Sequence, residues 1–249
     1  LRPPGIFQAR RQGARAMSAP SPYLRPGFYE TALAAGRHRD IVGGRWEETG
    51  RAQMEILRGV GLEPMHHLLD IGAGSLRLGC KAVPFLAKGH YWGTDASRDL
   101  MMAGYAAELA APERLDPAQL VEDAGFAFPG VSGAITHAMA FGVFPHLPGC
   151  EGAKGPLAQA LAGLVRFEAL EVFLFTVFLA PEADFDSRFR QKDGVVTHAG
   201  RAPYHLREAD VWSVLAASGW QAQKDERWLP RGQVLFAARP MRDQHHRRP

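Results

Sequence analysis

The sequence predicts an α/β fold: a mainly parallel, seven-stranded sheet wound on both sides by helices and closed by a C-terminal antiparallel hairpin. Three observations carry this expectation. Strand-like and helix-like segments alternate along the chain, the pattern of a parallel sheet built from strand–helix–strand units. The run EVFLFTVFLA, residues 171–180, is apolar at consecutive positions rather than alternate ones, as a strand covered on both faces must be. The last two strand-like segments are separated by only LPRG, Leu229 to Gly232, too short for a crossover helix, so that pair must run antiparallel.

The elements follow in order. Residues 1–27 contain five prolines and no periodicity, which reads as an unstructured arm. Residues 45–59 place apolar side chains at Trp46, Met54 and Leu57 and are stopped by Gly61 and Pro64, a helix. A first strand spans 67–71, a helix 76–86, a second strand 90–95, a helix 100–109, a third strand 118–124 and a fourth 133–140. A helix at 156–167 precedes the apolar strand at 171–180. An amphipathic helix at 207–219 ends at Gly219. The last strands are 220–228 and 233–239.

At 249 residues the chain can bury one full core. The expected organisation is an arm at 1–27, a single domain at 28–240 whose residues 28–62 form a helical cap, and a basic tail at 241–249. Met17, followed by Ser-Ala-Pro, reads as a start, with 1–16 upstream of it. Charged residues are 22% of the chain and the net charge is +3, an ordinary globular balance in which the terminal arginines read as solvated. No apolar run is long enough to span a bilayer, so no membrane partner is expected. Cys80 and Cys150 cannot make a disulfide framework, which points to a reducing, cytoplasmic setting.

The stretch LLDIGAGSLRLG, Leu68 to Gly79, carries the chemistry. A short apolar run reaches Asp70, then Gly72 and Gly74, then a helix-compatible segment: a strand, a tight turn and a helix, the arrangement that holds a ligand against a helix N-terminus. A dinucleotide loop needs a third glycine where Arg77 stands. Asp95, about one unit downstream, does not discriminate, because dinucleotides and S-adenosylmethionine both present a ribose. Asp70 does. A carboxylate there suits the cationic amino group of a methionine moiety and repels a pyrophosphate. No Y-x-x-x-K pair supports a nicotinamide oxidoreductase either.

LLDIGAGSLRLG followed by YWGTDAS resembles motif I and the second-strand acid of class I S-adenosylmethionine-dependent methyltransferases, a Rossmann-like family. AMAFGVFPHLP (138–148) is similar to the fourth-strand motif A-x-S-x-F-x-H-L of bacterial members, and FLFTVFLAPE (173–182) to their fifth strand. APYHLREADVWSVLAASGW and WLPRGQ resemble the C-terminal part of a bacterial subgroup without an assigned substrate. The resemblance covers about residues 38–240. Ala73 stands where many members have Cys, and Gly142 where the subgroup has Ser.

The resemblance implies S-adenosyl-L-methionine as cofactor. Asp70 would meet its methionine end, and the backbone of Gly72, Ala73, Gly74 and Ser75 would approach it. Arg77 would pair with an acid or orient its carboxylate. Asp95 would accept the ribose hydroxyls, with Ala96 and Ser97 behind it, and Asp123 and Ala124 would meet the adenine. Ala140 closes the site at the fourth strand. On the acceptor side stand Phe141, Phe144, His198 and Tyr204, with His146 and His205 as candidate bases. Met101 and Met102 read as core, and His66 and His67 as exposed. None of the histidines has metal-ligand spacing, so no metal is expected. The implied activity is methyl transfer to a small-molecule, sugar-like or peptide acceptor. The alternatives are a non-catalytic cofactor-binding module and a nucleic-acid methyltransferase. The latter is disfavoured because Ala140-Phe141-Gly142-Val143 stands where base-amine methylation uses an N/D-P-P-Y/F box. Oligomeric state is not legible.

Overall fold

The apolar run near 171–180 becomes β5 (Val172–Leu179), and its side chains alternate between two cores. Phe173, Phe175 and Val177 point into one, Val172 and Leu174 into the other. The same alternation splits Leu68 from Leu69 in β1 (Leu68–Ile71). A computed structural model describes residues 21–241 of the chain. The expectations for residues 1–20 and for the basic tail beyond Met241 fall outside the described residues.

In chain order, α1 (Phe28–Ala34) and α2 (Trp46–Gly59) precede β1. Then come α3 (Gly79–Phe85), β2 (Tyr91–Asp95), α4 (Arg98–Glu108), β3 (Leu120–Glu122), β4 (His137–Ala140) and α5 (Pro156–Leu164). After β5 follow β6 (Arg188–Arg190), β7 (Val196–His198), β8 (His205–Leu206), α6 (Glu208–Ala217), β9 (Trp220–Asp225) and β10 (Val234–Pro240). The main sheet has the order β3-β2-β1-β4-β5-β10-β9, with β8 pairing the end of β5. The pairs among β1 to β5 are parallel, and β10 is antiparallel to both β5 and β9. Core residues of α5 and α6 cover one face; those of α2, α3 and α4 cover the other. The doubly wound sheet with a closing hairpin is the architecture the sequence predicts. Among the described residues, no helix is long and apolar enough to cross a membrane.

The structure differs from expectation in several places. Residues 21–27 are not a free arm: Pro22–Leu24 forms a 3-10 turn, and the Tyr23 hydroxyl donates to the Ile41 carbonyl oxygen at 2.5 Å. The helix expected from residue 76 starts at Gly79, because Leu76 sits in the left-handed region at φ 63° and cannot continue a right-handed turn. The loop between residues 181 and 203 contains the β6–β7 ribbon, whose strands are too short to announce themselves. His66 and His67 are half-buried rather than exposed, with His67 stacked on His90 at 3.8 Å between centroids.

Candidate functional site

The carboxyl ends of β1 to β4 open into one cavity of about 1290 Å³, a volume that includes the solvent at its mouth. Ligands bind at this edge in open parallel sheets, where strand order reverses on either side of β1. Of the residues predicted from sequence, Asp70, Gly72, Ala73, Gly74, Arg77, Asp95, Ala96, Asp123, Ala124, Phe141 and His146 line it.

The glycine turn forms its floor. Gly72 and Ala73 both donate to the Thr94 carbonyl oxygen, at 2.7 and 3.0 Å, which pins the turn to β2. Gly72 and Gly74 take φ of 70° and 56°, where glycine carries no penalty. Space forbids a side chain as well. A Cβ on Gly72 would stand 2.4 Å from Val143 Cγ2, and one on Gly74 2.5 Å from Val42 Cγ1.

Asp95 closes the turn from β2. Its Oδ2 accepts from Gly74 N at 2.9 Å and its Oδ1 from Ser97 N at 3.0 Å. Ser97 caps α4 by accepting from Leu100 N, so Asp95 is free of the capping role. Burial raises the Asp95 pKa, and the backbone N–H groups oppose that rise. Asp70 is 2% exposed, and Tyr91 Oη donates to its Oδ2 at 2.7 Å. Burial pushes Asp70 up to about 7, against the lowering effects of Tyr91 and of nearby Arg77. Such a carboxyl favours a cation brought beside it.

Arg77 lies before α3, not in its first turn, so the helix dipole has no part in its placement. Its guanidinium donates to the carbonyl oxygens of Val42 at 2.7 Å and Gly44 at 3.4 Å, and to Gln53 Oε1 at 3.4 Å. Burial lowers it to about 10. It ties the turn to the segment above it. Asp123 also has a scaffolding job that its sequence context hides. Its carboxylate accepts from the N–H groups of Gly125, Ala127 and Phe128, which holds Phe126 and Phe128 at positive φ and sets Phe126 as a wall of the cavity.

The roof comes from elsewhere in the chain. Tyr23, Tyr29, Ile41, Val42, Thr49 and Gln53 descend from the N-terminal segment; Arg231 and Gln233 come from the turn before β10. The N-terminal segment is anchored by Arg39, bidentate on Glu108 at 2.7 and 2.6 Å, and by Ser75 Oγ donating to the His38 carbonyl oxygen at 2.8 Å. Burial, then the nearby charge of Asp95, raises the pKa of Tyr29. The Tyr23 ring packs on His146 at 4.6 Å between centroids. Burial, then the charge of Arg231, lowers His146 to about 4, so its imidazole is neutral at physiological pH.

The remaining predicted residues stand away from this cavity. Ser75 is fully buried on its bond to His38, Ser97 is the cap of α4, and Ala140 is buried inside β4. Phe144 is core, packed against Phe126 and Phe175. Tyr204 and His205 line a second depression with Phe185 and Arg207. His205 is 1% exposed; its Nε2 donates to the Phe185 carbonyl oxygen at 2.8 Å, and its Nδ1 lies 2.9 Å from Thr197 Oγ1. With both nitrogens engaged it pins the 181–203 segment and has no lone pair to offer a substrate. His198 lies in the β6–β7 ribbon, its N–H donating to the Pro203 carbonyl oxygen at 3.0 Å.

Sequence reasoning misses the roof. Arg231 and Gln233 do stand in the segment WLPRGQ, which the sequence presents as a hairpin turn and as part of the C-terminal resemblance, with no site role. β9 ends at Asp225, so residues 226–233 form a longer connection that reaches the cavity. Tyr23 and Tyr29 have no signal beyond being the aromatic residues of a Pro-rich stretch.

No family model and no curated protein matches the chain. Solved structures do. The fold is similar to an S-adenosylmethionine-dependent methyltransferase from Clostridium acetobutylicum ATCC 824 (TM-score 0.57, 10% identity, 85% of this chain and 98% of that one). It is also similar to a magnesium protoporphyrin IX methyltransferase from Synechocystis PCC 6803 with bound S-adenosylhomocysteine (0.55, 16%, 85% and 96%) and to an amino pentose methyltransferase from Micromonospora echinaspora (0.54, 16%, 84% and 96%). The chain has the Rossmann-like methyltransferase fold. At these identities the likeness carries the fold alone. It does not choose an acceptor, nucleic acid included.

Proposed function

We propose that the chain transfers a methyl group from S-adenosyl-L-methionine to a small-molecule acceptor in a cytoplasmic setting. One observation carries the reading. A single cavity brings together a tight glycine turn, a carboxylate at the end of β2 that already holds that turn, and a buried, charge-poor carboxyl at the end of β1. That is a donor set for a ribose on one side and an ammonium on the other. Asp70 fits the ammonium: even with Tyr91 donating to it and Arg77 nearby, burial makes its carboxylate costly, and a further cation beside it offsets that cost.

In this reading Asp95 accepts the ribose hydroxyls, Gly72 and Gly74 give backbone approach, and Phe126 and the 123–128 loop flank the adenine. When bound, the cofactor supplies a methyl group on a sulfonium, already a good leaving group. The protein's part is alignment and exclusion of water. The roof of Tyr23, Tyr29, Ile41 and Val42 excludes water and favours a small acceptor over a duplex. His146, neutral and facing the cavity, accepts a hydrogen bond from the nucleophile and orients it. With a pKa near 4 it is a weak base, so it positions rather than ionises.

Calorimetric titration with S-adenosylhomocysteine and, separately, with NADH tests the cofactor. Saturable binding of the first and none of the second is expected. NADH binding without any response to S-adenosylhomocysteine overturns the reading.

A further inference from the structure

Among the described residues two arginines face the cavity, and their circumstances differ. Arg77 donates from Nε to Gln53 and from Nη1 to Val42 and Gly44, and it stands beside Asp70. Arg231 lines the same cavity, yet among the described residues its guanidinium has no hydrogen bond and no ion pair. Its backbone is nevertheless firmly built. Arg231 sits at φ 70°, a region non-glycine residues rarely enter. Asp193 holds it there, Oδ2 accepting from Arg231 N at 2.7 Å, and Asp193 is gripped in turn by Arg45 at 2.5 and 3.2 Å. The side chain lies against the 43–44 backbone: a Cβ on Gly43 would stand 3.5 Å from its Cζ.

Gln233 repeats the pattern. Its Oε1 accepts from the Thr176 hydroxyl, whose oxygen accepts from Gly142 N at 2.8 Å. Its Nε2, 3.6 Å from where a Cβ on Gly142 would stand, has no partner among the described residues. A planar fork of donors and an amide donor thus share one cavity with no acceptor for them among the described residues. Both belong to the connection before β10, which pairs with β5 on the far side of β4 from β2 and β3. The ribose and adenine side of the cavity lies over β2 and β3. Arg231 is also the cation beside His146, as Arg77 is beside Asp70.

We propose that Arg231, assisted by Gln233, is the receptor for an anionic group, a carboxylate or a phosphate, on the methyl acceptor. The inference rests on the cavity being a methyl-transfer site. A guanidinium matches both anions through paired N–H···O bonds, and enclosure strengthens them. An anion held there lies beside His146, which places the rest of the acceptor between the imidazole and the cofactor half of the cavity.

The test uses the whole chain saturated with S-adenosylhomocysteine. Arginine Nε–H resonances are followed during titration with inorganic phosphate and, separately, acetate; Arg231→Gln assigns the signal. A saturable shift of the Arg231 resonance with a Kd of about 1–10 mM, the weak end of the affinity scale, is expected for at least one anion. The anion that binds tells phosphate from carboxylate. Arg231→Gln should abolish the binding, Arg231→Lys should retain part of it, and S-adenosylhomocysteine affinity should stay within about threefold of wild type in both. Absence of a saturable shift with either anion overturns the proposal. So does a tenfold loss of S-adenosylhomocysteine affinity in Arg231→Gln, which would assign the arginine to the cofactor's own carboxylate. Should Arg231→Gln fail to fold, Arg231→Lys, which also lacks the arginine Nε–H, assigns the resonance and the wild-type titration decides. Failure of wild type to bind S-adenosylhomocysteine is seen before any anion is added, and it overturns the methyl-transfer reading instead.

Discussion

Asp95 and Arg231 look into the same cavity from opposite sides, and each is held by a different kind of contact. Asp95 ends a strand and bonds to the turn of the neighbouring strand, so regular sheet geometry places it. Arg231 depends on Asp193 and, through it, on Arg45, a residue 148 positions from Asp193 in sequence. The floor is a product of strand order. The roof is a product of separate long-range bonds: Arg77 to Val42, Ser75 to His38, Arg39 to Glu108 and Tyr23 to Ile41. A fold shared widely can keep its floor while its roof varies, which is the division needed when one cofactor serves many acceptors.

The largest effect is expected where floor and roof touch. Gly74→Ala forces a non-glycine residue to φ 56° and drives its Cβ into Val42, so a loss of about 2–4 kcal/mol in denaturant unfolding is expected. Adding Val42→Ala should restore the packing part and leave the backbone part. Wild-type stability in the single variant would mean that floor and roof are not in tight contact.

Next in size is Asp95→Asn. An amide oxygen keeps one acceptor but loses the charge and turns an NH2 toward a backbone N–H, so S-adenosylhomocysteine should bind roughly 1.5–3 kcal/mol more weakly, with some loss of melting temperature as well. An unchanged Kd would reduce Asp95 to a servant of its own backbone.

Asp70 predicts a smaller, pH-dependent effect. Its folded pKa is raised from 3.8 to about 7, so its contribution to stability is full below 3.8 and is lost as pH rises through 7. A cationic ligand group beside it reverses that preference. Binding of S-adenosylhomocysteine at pH 7 should release roughly half a proton, and affinity should fall about tenfold per pH unit below 7. Calorimetry in buffers of different ionisation enthalpy measures both. Asp70→Asn should remove the linkage; a linkage that persists assigns the proton to another group.

The smallest effect belongs to the roof alone. Tyr23→Phe deletes the hydrogen bond to Ile41, with a cost of about 1 kcal/mol and a shift of roughly 2–4 °C in melting temperature. Cofactor affinity should be unchanged. A large loss of cofactor affinity would move Tyr23 from the acceptor side to the cofactor side.

The same division governs what the sequence discloses. The alternation of strands, the doubly apolar β5 and the turn at Gly72 and Gly74 are local patterns, and each is legible. So is the place of Asp95 at a strand end. Leu76 at positive φ is not, because no residue type announces a left-handed leucine, and the late start of α3 follows from it. Asp123 stands where its neighbours suggest, but its bonds to Gly125, Ala127 and Phe128 belong to the loop it folds. His205 reads as a candidate base because sequence cannot show that Phe185 and Thr197 close on both its nitrogens. Tyr23 lies in a Pro-rich stretch whose composition resembles an arm, and only its contacts with Ile41 and His146 make it part of the cavity.

A crystal structure with S-adenosylhomocysteine bound tests the division most directly. The account predicts the ribose hydroxyls on the Asp95 carboxylate, the amino group beside Asp70, and the sulfur turned toward the space between His146 and Arg231. A ligand lying the other way, with its adenosine against Arg231 and His146, or with its sulfur more than about 10 Å from the His146 ring and so beyond reach through one water, contradicts it.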